Sequence, residues 1–251
     1  MRNVINSRFK ELTWRNQIGI LYRLAWGLKS LHINEISHND LHPGNILLDI
    51  DLGGVMYPVL TDFGLCKSID ESRTFENIYG VIPYMAPEIL CSQGYTIVSD
   101  VYSFGMIMWL VLTGKEPYYD HEINEHLIIK ILEGFRPQIS KEIPELLVKL
   151  MTKCWDSEPS NRPDIFTIWK ELWCCYNYLN KDENSEIKQQ FESYDKWKRS
   201  SNQFEKRSSN QFEKRSEIYI HSRLLKFINP KFIKGMLKFL IMRLFLNFGK
   251  K

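Results

Sequence analysis

With 251 residues, 44% hydrophobic and 25% charged, the chain has the make-up of a folded soluble protein, and room for one large or two small domains. Five scattered cysteines without a CxxC pair argue against a disulfide framework and a zinc site, so the expected setting is reducing and cytoplasmic. The net charge of +3 is unevenly spread: residues 1–195 hold 18 Lys+Arg against 27 Asp+Glu, and residues 196–251 hold 15 against 3.

The first stretch, "MRNVINSRFKELTW", has no continuous apolar core and does not read as a signal peptide. Ile18, Leu21, Leu24, Ala25, Leu28 and Leu31 then recur at helical spacing and predict a helix over 14–32 with one buried stripe. Next comes "HNDLHPGNILLD", His38 to Asp49. Taken alone, its Asn, Asp, Pro and Gly make a turn that leads into a short strand at 46–48. A second strand is expected at 58–61, after a turn at Gly53–Gly54. Residues 62–97 read as loop-rich.

A helix near 100–112, "DVYSFGMIMWLVL", is apolar nearly all round and belongs at the centre of a domain. Ser99 or Asp100 is expected to cap it, and Gly114 to end it. Three more helices are expected near 122–133, 144–155 and 164–179. No run of 18 apolar residues points to a membrane span. After about 180 the composition changes, and "RSSNQFEK" stands twice in tandem at 199–206 and 207–214. Two copies are too few for a solenoid, so 180–230 reads as a linker. Residues 231–251 mix bulky apolar side chains with six Lys+Arg and no acid.

An Asp and an Asn five apart on a rigid loop suit phosphoryl transfer: one accepts a hydroxyl proton while the other holds a metal. Magnesium takes oxygen ligands and keeps several waters, so a second Asp nearby completes a site. Asp62, in "TDFGL", stands at the end of a predicted strand.

Over residues 10–177 the chain resembles the C-terminal lobe of a eukaryotic protein kinase of the tyrosine-kinase-like group. "HNDLHPGN" stands where that family has H-R-D-L-x-x-x-N, and "DFG" at 62–64 follows. "YMAPE" at 84–88, "SDVYSFG" at 99–105 and "NRP" at 161–163 complete the order. Each motif is weak alone; five in sequence carry the resemblance. It implies a mainly α lobe (1–179) with short β-strands around the catalytic loop, followed by the linker and an irregular or helical basic tail. It implies ATP and Mg2+ as cofactors and a protein substrate, with no nucleic-acid partner expected. Asp40 would accept the proton of the substrate hydroxyl, Asn45 and Asp62 would hold magnesium and thereby ATP, and Leu47 would floor the adenine pocket. His38 and Phe63 would join a packed hydrophobic column. Glu88 and Arg162 would form a buried ion pair, and Asp100 would bind backbone N–H groups of the catalytic loop.

The departures matter too. Asn39 replaces the family's Arg before the catalytic Asp, so phosphate on Ser72, Thr74 or Tyr79 would lose its usual partner. His42 replaces the Lys common in serine/threonine kinases, the tyrosine kinases' "AAR" is absent, and Val81 stands where many serine/threonine kinases have Thr. Serine/threonine specificity is the preferred expectation. No G-x-G occurs, and Lys130 lies too far downstream to serve as the family's phosphate-pairing lysine. ATP would meet a floor without a roof, which should cost this polypeptide several powers of ten in rate. Beside the kinase reading stand two others: a pseudokinase-like binding module without catalysis, and a peripheral scaffold that touches anionic membrane through 231–251.

Overall fold

The chain opens on a short helix, α1 (Arg2–Arg8), which the apolar pattern does not announce, and then enters α2 (Trp14–Ile33). These coordinates are a computed structural model, described over residues 1–52, 54–68, 79–178, 186–200 and 223–224. Helix α2 starts at a capping box: the Thr13 hydroxyl accepts the Asn16 N–H, and Asn16 Oδ1 accepts the Thr13 N–H. Its expected stripe is buried at Ile18, Leu21, Leu24, Ala25 and Leu28, while Leu31 is half-buried.

Three antiparallel pairings frame the loops that follow. Strand β1 (Ile36–Ser37) leads into the 38–45 loop. Strands β2 (Ile46–Ile50) and β3 (Met56–Leu60) form a hairpin with Ile46 opposite Leu60. Asp51 closes its turn, accepting the Gly54 N–H on its carbonyl and the Val55 N–H on its carboxylate. Strand β4 (Lys67–Ser68) pairs back onto β1, and β5 (Tyr79–Gly80) pairs with β6 (Arg223–Leu224).

After the short α3 (Pro87–Leu90) comes α4 (Ile97–Thr113), the centre of the lobe. Every residue from Ser99 to Thr113 is buried, as its apolar surface requires. Its cap differs from the expected Ser99 or Asp100. Thr96 is the N-cap, and Ser99 completes a capping box three residues on. The extra turn frees Asp100 for another task. Gly114 ends the helix at φ 65°, where a Cβ would lie 2.6 Å from the Phe9 ring.

Helices α5 (Glu125–Leu132), α6 (Glu145–Cys154) and α7 (Ile165–Tyr178) fall within the three expected segments. Helix α6 packs on α4 and α7 on α2. The sequence reading ran the linker from 180, yet Glu186–Ser200 forms a further helix, α8, docked on the start of α2. Asp195 Oδ1 accepts the Trp14 N–H at 2.9 Å, and Trp14 stacks obliquely on Phe191. Lys198 reaches inward to the Leu12 carbonyl and, at 2.7 Å, to Gln17 Oε1. The tandem repeat beyond Ser200 and the basic stretch 231–251 lie outside the described residues. Among the described residues no helix is long and apolar enough to cross a membrane.

Candidate active site

The loop between β1 and β2 hangs from α4. Asp100 is buried, and its Oδ2 accepts the His38 N–H at 2.7 Å and the His32 Nε2–H at 3.0 Å. Its Oδ1 accepts the Asn39 N–H at 3.0 Å. One buried carboxylate thus fixes two successive amides just before Asp40, the scaffold role expected of it. Asn39 sits at φ 67°, a left-handed conformation that Asn tolerates better than most residues. Its Nδ2 donates to the Leu65 carbonyl at 2.7 Å, tying this loop to the turn after Asp62.

Asp40 and Asn45 meet. Asn45 Nδ2 donates to both the Asp40 carbonyl and Asp40 Oδ2, each at 2.9 Å. The bond fixes the amide so that its oxygen faces away from Asp40. The hairpin register then sets the third residue. Ile46 pairs with Leu60, the Thr61 N–H donates to the Asn45 carbonyl at 2.9 Å, and Asp62 is the next residue along. Asp62 is also left-handed, at φ 60°, and its exposed side chain receives only a long 3.4 Å bond from the Gly64 N–H. An amide oxygen and an exposed carboxylate fit a magnesium ion that keeps most of its waters. Among the described residues no cluster of three His, Cys, Asp or Glu could hold a metal, so that sparse donor set is the one to consider.

Three carboxylates surround Cys66. Its thiol is pushed up to about 11, first by burial and then by the negative charges of Asp100, Asp62 and Asp40. Cys66 is therefore a protonated neighbour of the site at neutral pH. Tyr95 is likewise pushed up to about 12, mainly by burial. Its hydroxyl donates to the Tyr79 carbonyl and accepts the Tyr79 N–H, fixing the end of the 79–90 segment beside the cleft.

The column residues are only half enclosed. His38 is fully buried, donates from Nε2 to the Thr61 carbonyl at 3.2 Å, and lies 5.6 Å from the Phe63 ring. Phe63 itself is 51% exposed, so the expected packed column is covered on the His38 side alone. Leu47 is 59% exposed and shares an open apolar face with Val59. Glu88 and Arg162 form the expected pair in bidentate form, at 2.6 and 2.8 Å. Arg162 also donates to the Val98 and Asp156 carbonyls, which fixes the α3 segment to α4.

Two features escaped the sequence reading. Tyr84 donates to Glu116 at 2.6 Å, and Arg2 bonds the same carboxylate at 2.6 Å, joining α1 to the segment before α3. His42 is buried beside Asp40, with Nε2 3.5 Å from Asp40 Oδ2 and Nδ1 accepting the Gly44 N–H at 3.1 Å. Both rest on side-chain directions that residue types alone do not fix.

Residues 1–172 match the family described as protein tyrosine and serine/threonine kinase. A "Putative serine/threonine-protein kinase/receptor" of Acanthamoeba polyphaga mimivirus is 38% identical over 167 residues, 66% of this chain and 10% of that protein. The human receptor-interacting serine/threonine-protein kinase 4 is 32% identical over 168 residues, 61% of this chain and 20% of that protein. The protein kinase and PP2C-like domain-containing protein of Arabidopsis thaliana is 32% identical over 194 residues, 61% of this chain and 29% of that protein. The chain thus spans between a tenth and under a third of the length of these relatives.

Proposed function

We propose, for a chain that belongs to the protein tyrosine and serine/threonine kinase family, transfer of the γ-phosphoryl group of ATP to serine or threonine hydroxyls of proteins. The observation that carries it is Asn45, whose side-chain amide donates to Asp40 and whose backbone carbonyl accepts the N–H of Thr61, the residue before Asp62. A general base and two oxygen donors are thereby spaced by one side-chain amide and one backbone hydrogen bond.

Asp40 is the group that receives the hydroxyl proton, and Asn45 keeps its carboxylate oriented. Asn45 Oδ1 and the Asp62 carboxylate would hold magnesium, which when bound supplies charge neutralisation at the phosphates. Leu47 and Val59 offer an apolar floor for the adenine ring. The serine/threonine preference is supported by the names of the relatives and by the missing "AAR" of tyrosine kinases. These 251 residues contain no G-x-G phosphate loop, so by themselves they contact ATP from one side only.

Nucleotide binding tests the reading. Titration of the chain with ADP should show weak binding that requires Mg2+ and is lost in Asp62→Asn. Binding that ignores Mg2+ and survives Asp62→Asn would reject it in favour of a non-catalytic docking module. Phosphoryl transfer by the 251 residues alone should not exceed that of Asp40→Ala.

The free thiols support an intracellular address. The basic stretch 231–251 carries a proposed contact with anionic membrane. Sedimentation with anionic but not neutral vesicles, lost at high salt, is the expected result.

A further inference from the structure

We propose that His42 is a positioning residue for Asp40, presenting an Nε2–H to its carboxylate from a ring whose tautomer is set by the backbone. The inference rests on the reading of Asp40 as the general base. It deepens that reading at a position where the family commonly carries a lysine.

The argument starts at Gly44. Its N–H can only donate, and it points to His42 Nδ1 at 3.1 Å. A neutral imidazole has one donor and one acceptor nitrogen, so Nδ1 as acceptor puts the proton on Nε2. That nitrogen lies 3.5 Å from Asp40 Oδ2, and both side chains are almost wholly buried. The Asn45 amide donates to the same oxygen at 2.9 Å. One hydrogen bond, from Asn45, and one longer approach, from His42 Nε2, therefore converge on one carboxylate oxygen and limit its rotation. A lysine here would add a full charge on a flexible stem; the imidazole adds a directed N–H on a ring that cannot leave its plane. The Tyr84 ring packs 6.4 Å from the imidazole and backs it against the loop.

The competing role is a turn cap alone, because the Nδ1 bond also closes the Pro43–Asn45 turn. Asparagine separates the two roles. Its Oδ1 occupies the place of Nδ1 and can accept the Gly44 N–H, but nothing replaces Nε2. Among the described residues, Cys66 and Tyr95 feel the Asp40 charge, Asp62 and Asp100 act on the same Cys66, and all four are the same in every variant compared.

The test uses the intact 251-residue chain. Imidazole 15N NMR of the neutral ring should show His42 as the Nε2–H tautomer; an Nδ1–H tautomer overturns the proposal. Carboxyl 13C titration should show the Asp40 midpoint moving upward in His42→Asn and in His42→Ala, because a donor to the charged form has gone. The melting temperature of His42→Asn should stay near that of the parent. An unmoved Asp40 midpoint in a folded His42→Asn overturns the proposal and leaves only the cap. If neither variant folds, the tautomer in the parent chain decides. Failure of Mg2+-dependent ADP binding would remove the functional reading while leaving these two NMR results intact, so the two failures are distinguishable.

Discussion

At the scale of single residues, the chain spends buried charge on holding its loops. Asp100 is one case, and the Glu88–Arg162 pair is another. Arg162 is wholly enclosed and its guanidinium makes four hydrogen bonds: two to Glu88 and one each to Val98 and Asp156. Removing one partner of such a pair leaves the other charged, buried and unpaired. Glu88→Ala should therefore lower unfolding free energy by about 3–5 kcal/mol, measured by urea denaturation. A loss under about 1 kcal/mol, the range of an exposed pair, would mean that water reaches Arg162. The contacts of Asp100, of Glu88 with Arg162 and of Asn45 with Asp40 were legible from motif order, because each residue stands at a fixed place in a short pattern. The His42 contact was not. Its residue type was visible, but the direction of its ring depends on the Gly44 N–H, which appears only once the turn is folded.

Among the elements, legibility followed the source of burial. Helix α2 buries an apolar stripe and announces itself by period, while α4, buried all round, announces itself by an unbroken apolar run. Helix α8 buries Phe191, Tyr194, Asp195 and Lys198, which is helical spacing with half the face charged. A pattern that counts only apolar residues passes over it. The start of α4 was misplaced for a related reason. Ser99 is a capping residue by type, but it serves as the third helical position of a box whose N-cap is Thr96. Thr96→Ala should cost about 0.5–2 kcal/mol in thermal or chemical denaturation. At the other end, Gly114→Ala should cost more than the roughly 1–2 kcal/mol of a left-handed alanine, because its Cβ would also overlap the Phe9 ring. Combining it with Phe9→Ala should give less than the sum of the two single losses. Strict additivity would show that the ring moves aside freely and that only the backbone conformation matters.

For the molecule as a whole, buried titratable groups fix how stability responds to alkali. Burial raises the thiols of Cys66, Cys91, Cys154 and Cys175, the last to about 12, and the phenols of Tyr22, Tyr95, Tyr102, Tyr118 and Tyr194. These groups keep their protons in the folded chain at a pH where the unfolded chain has lost them. The unfolded state then binds fewer protons, so stability falls as pH rises through the thiol and phenol ranges. Lys198 acts in the opposite sense. Burial pushes its ammonium down to about 8, against the attraction of Asp195, while an unfolded lysine holds its proton to about 10.4. Between those values the folded state binds fewer protons, and this one group adds stability with rising pH. Among the described residues, four raised thiols and five raised phenols outweigh one ammonium and the Tyr176 phenol, which Arg15 and Arg23 lower against its burial, so unfolding free energy measured under reducing conditions should be lower at pH 10.5 than at pH 8. Lys198→Met removes one opposing contribution and should make that decline steeper than in the parent chain. An unchanged decline in Lys198→Met would show that the ammonium stays charged in the folded state up to its ordinary range, and a shallower one that it stays charged beyond it. Lys198 would then hold a full ion pair with Asp195 inside α8, and a charged ammonium rather than a desolvated amine would tie that helix to the Leu12 carbonyl and to Gln17 of α2.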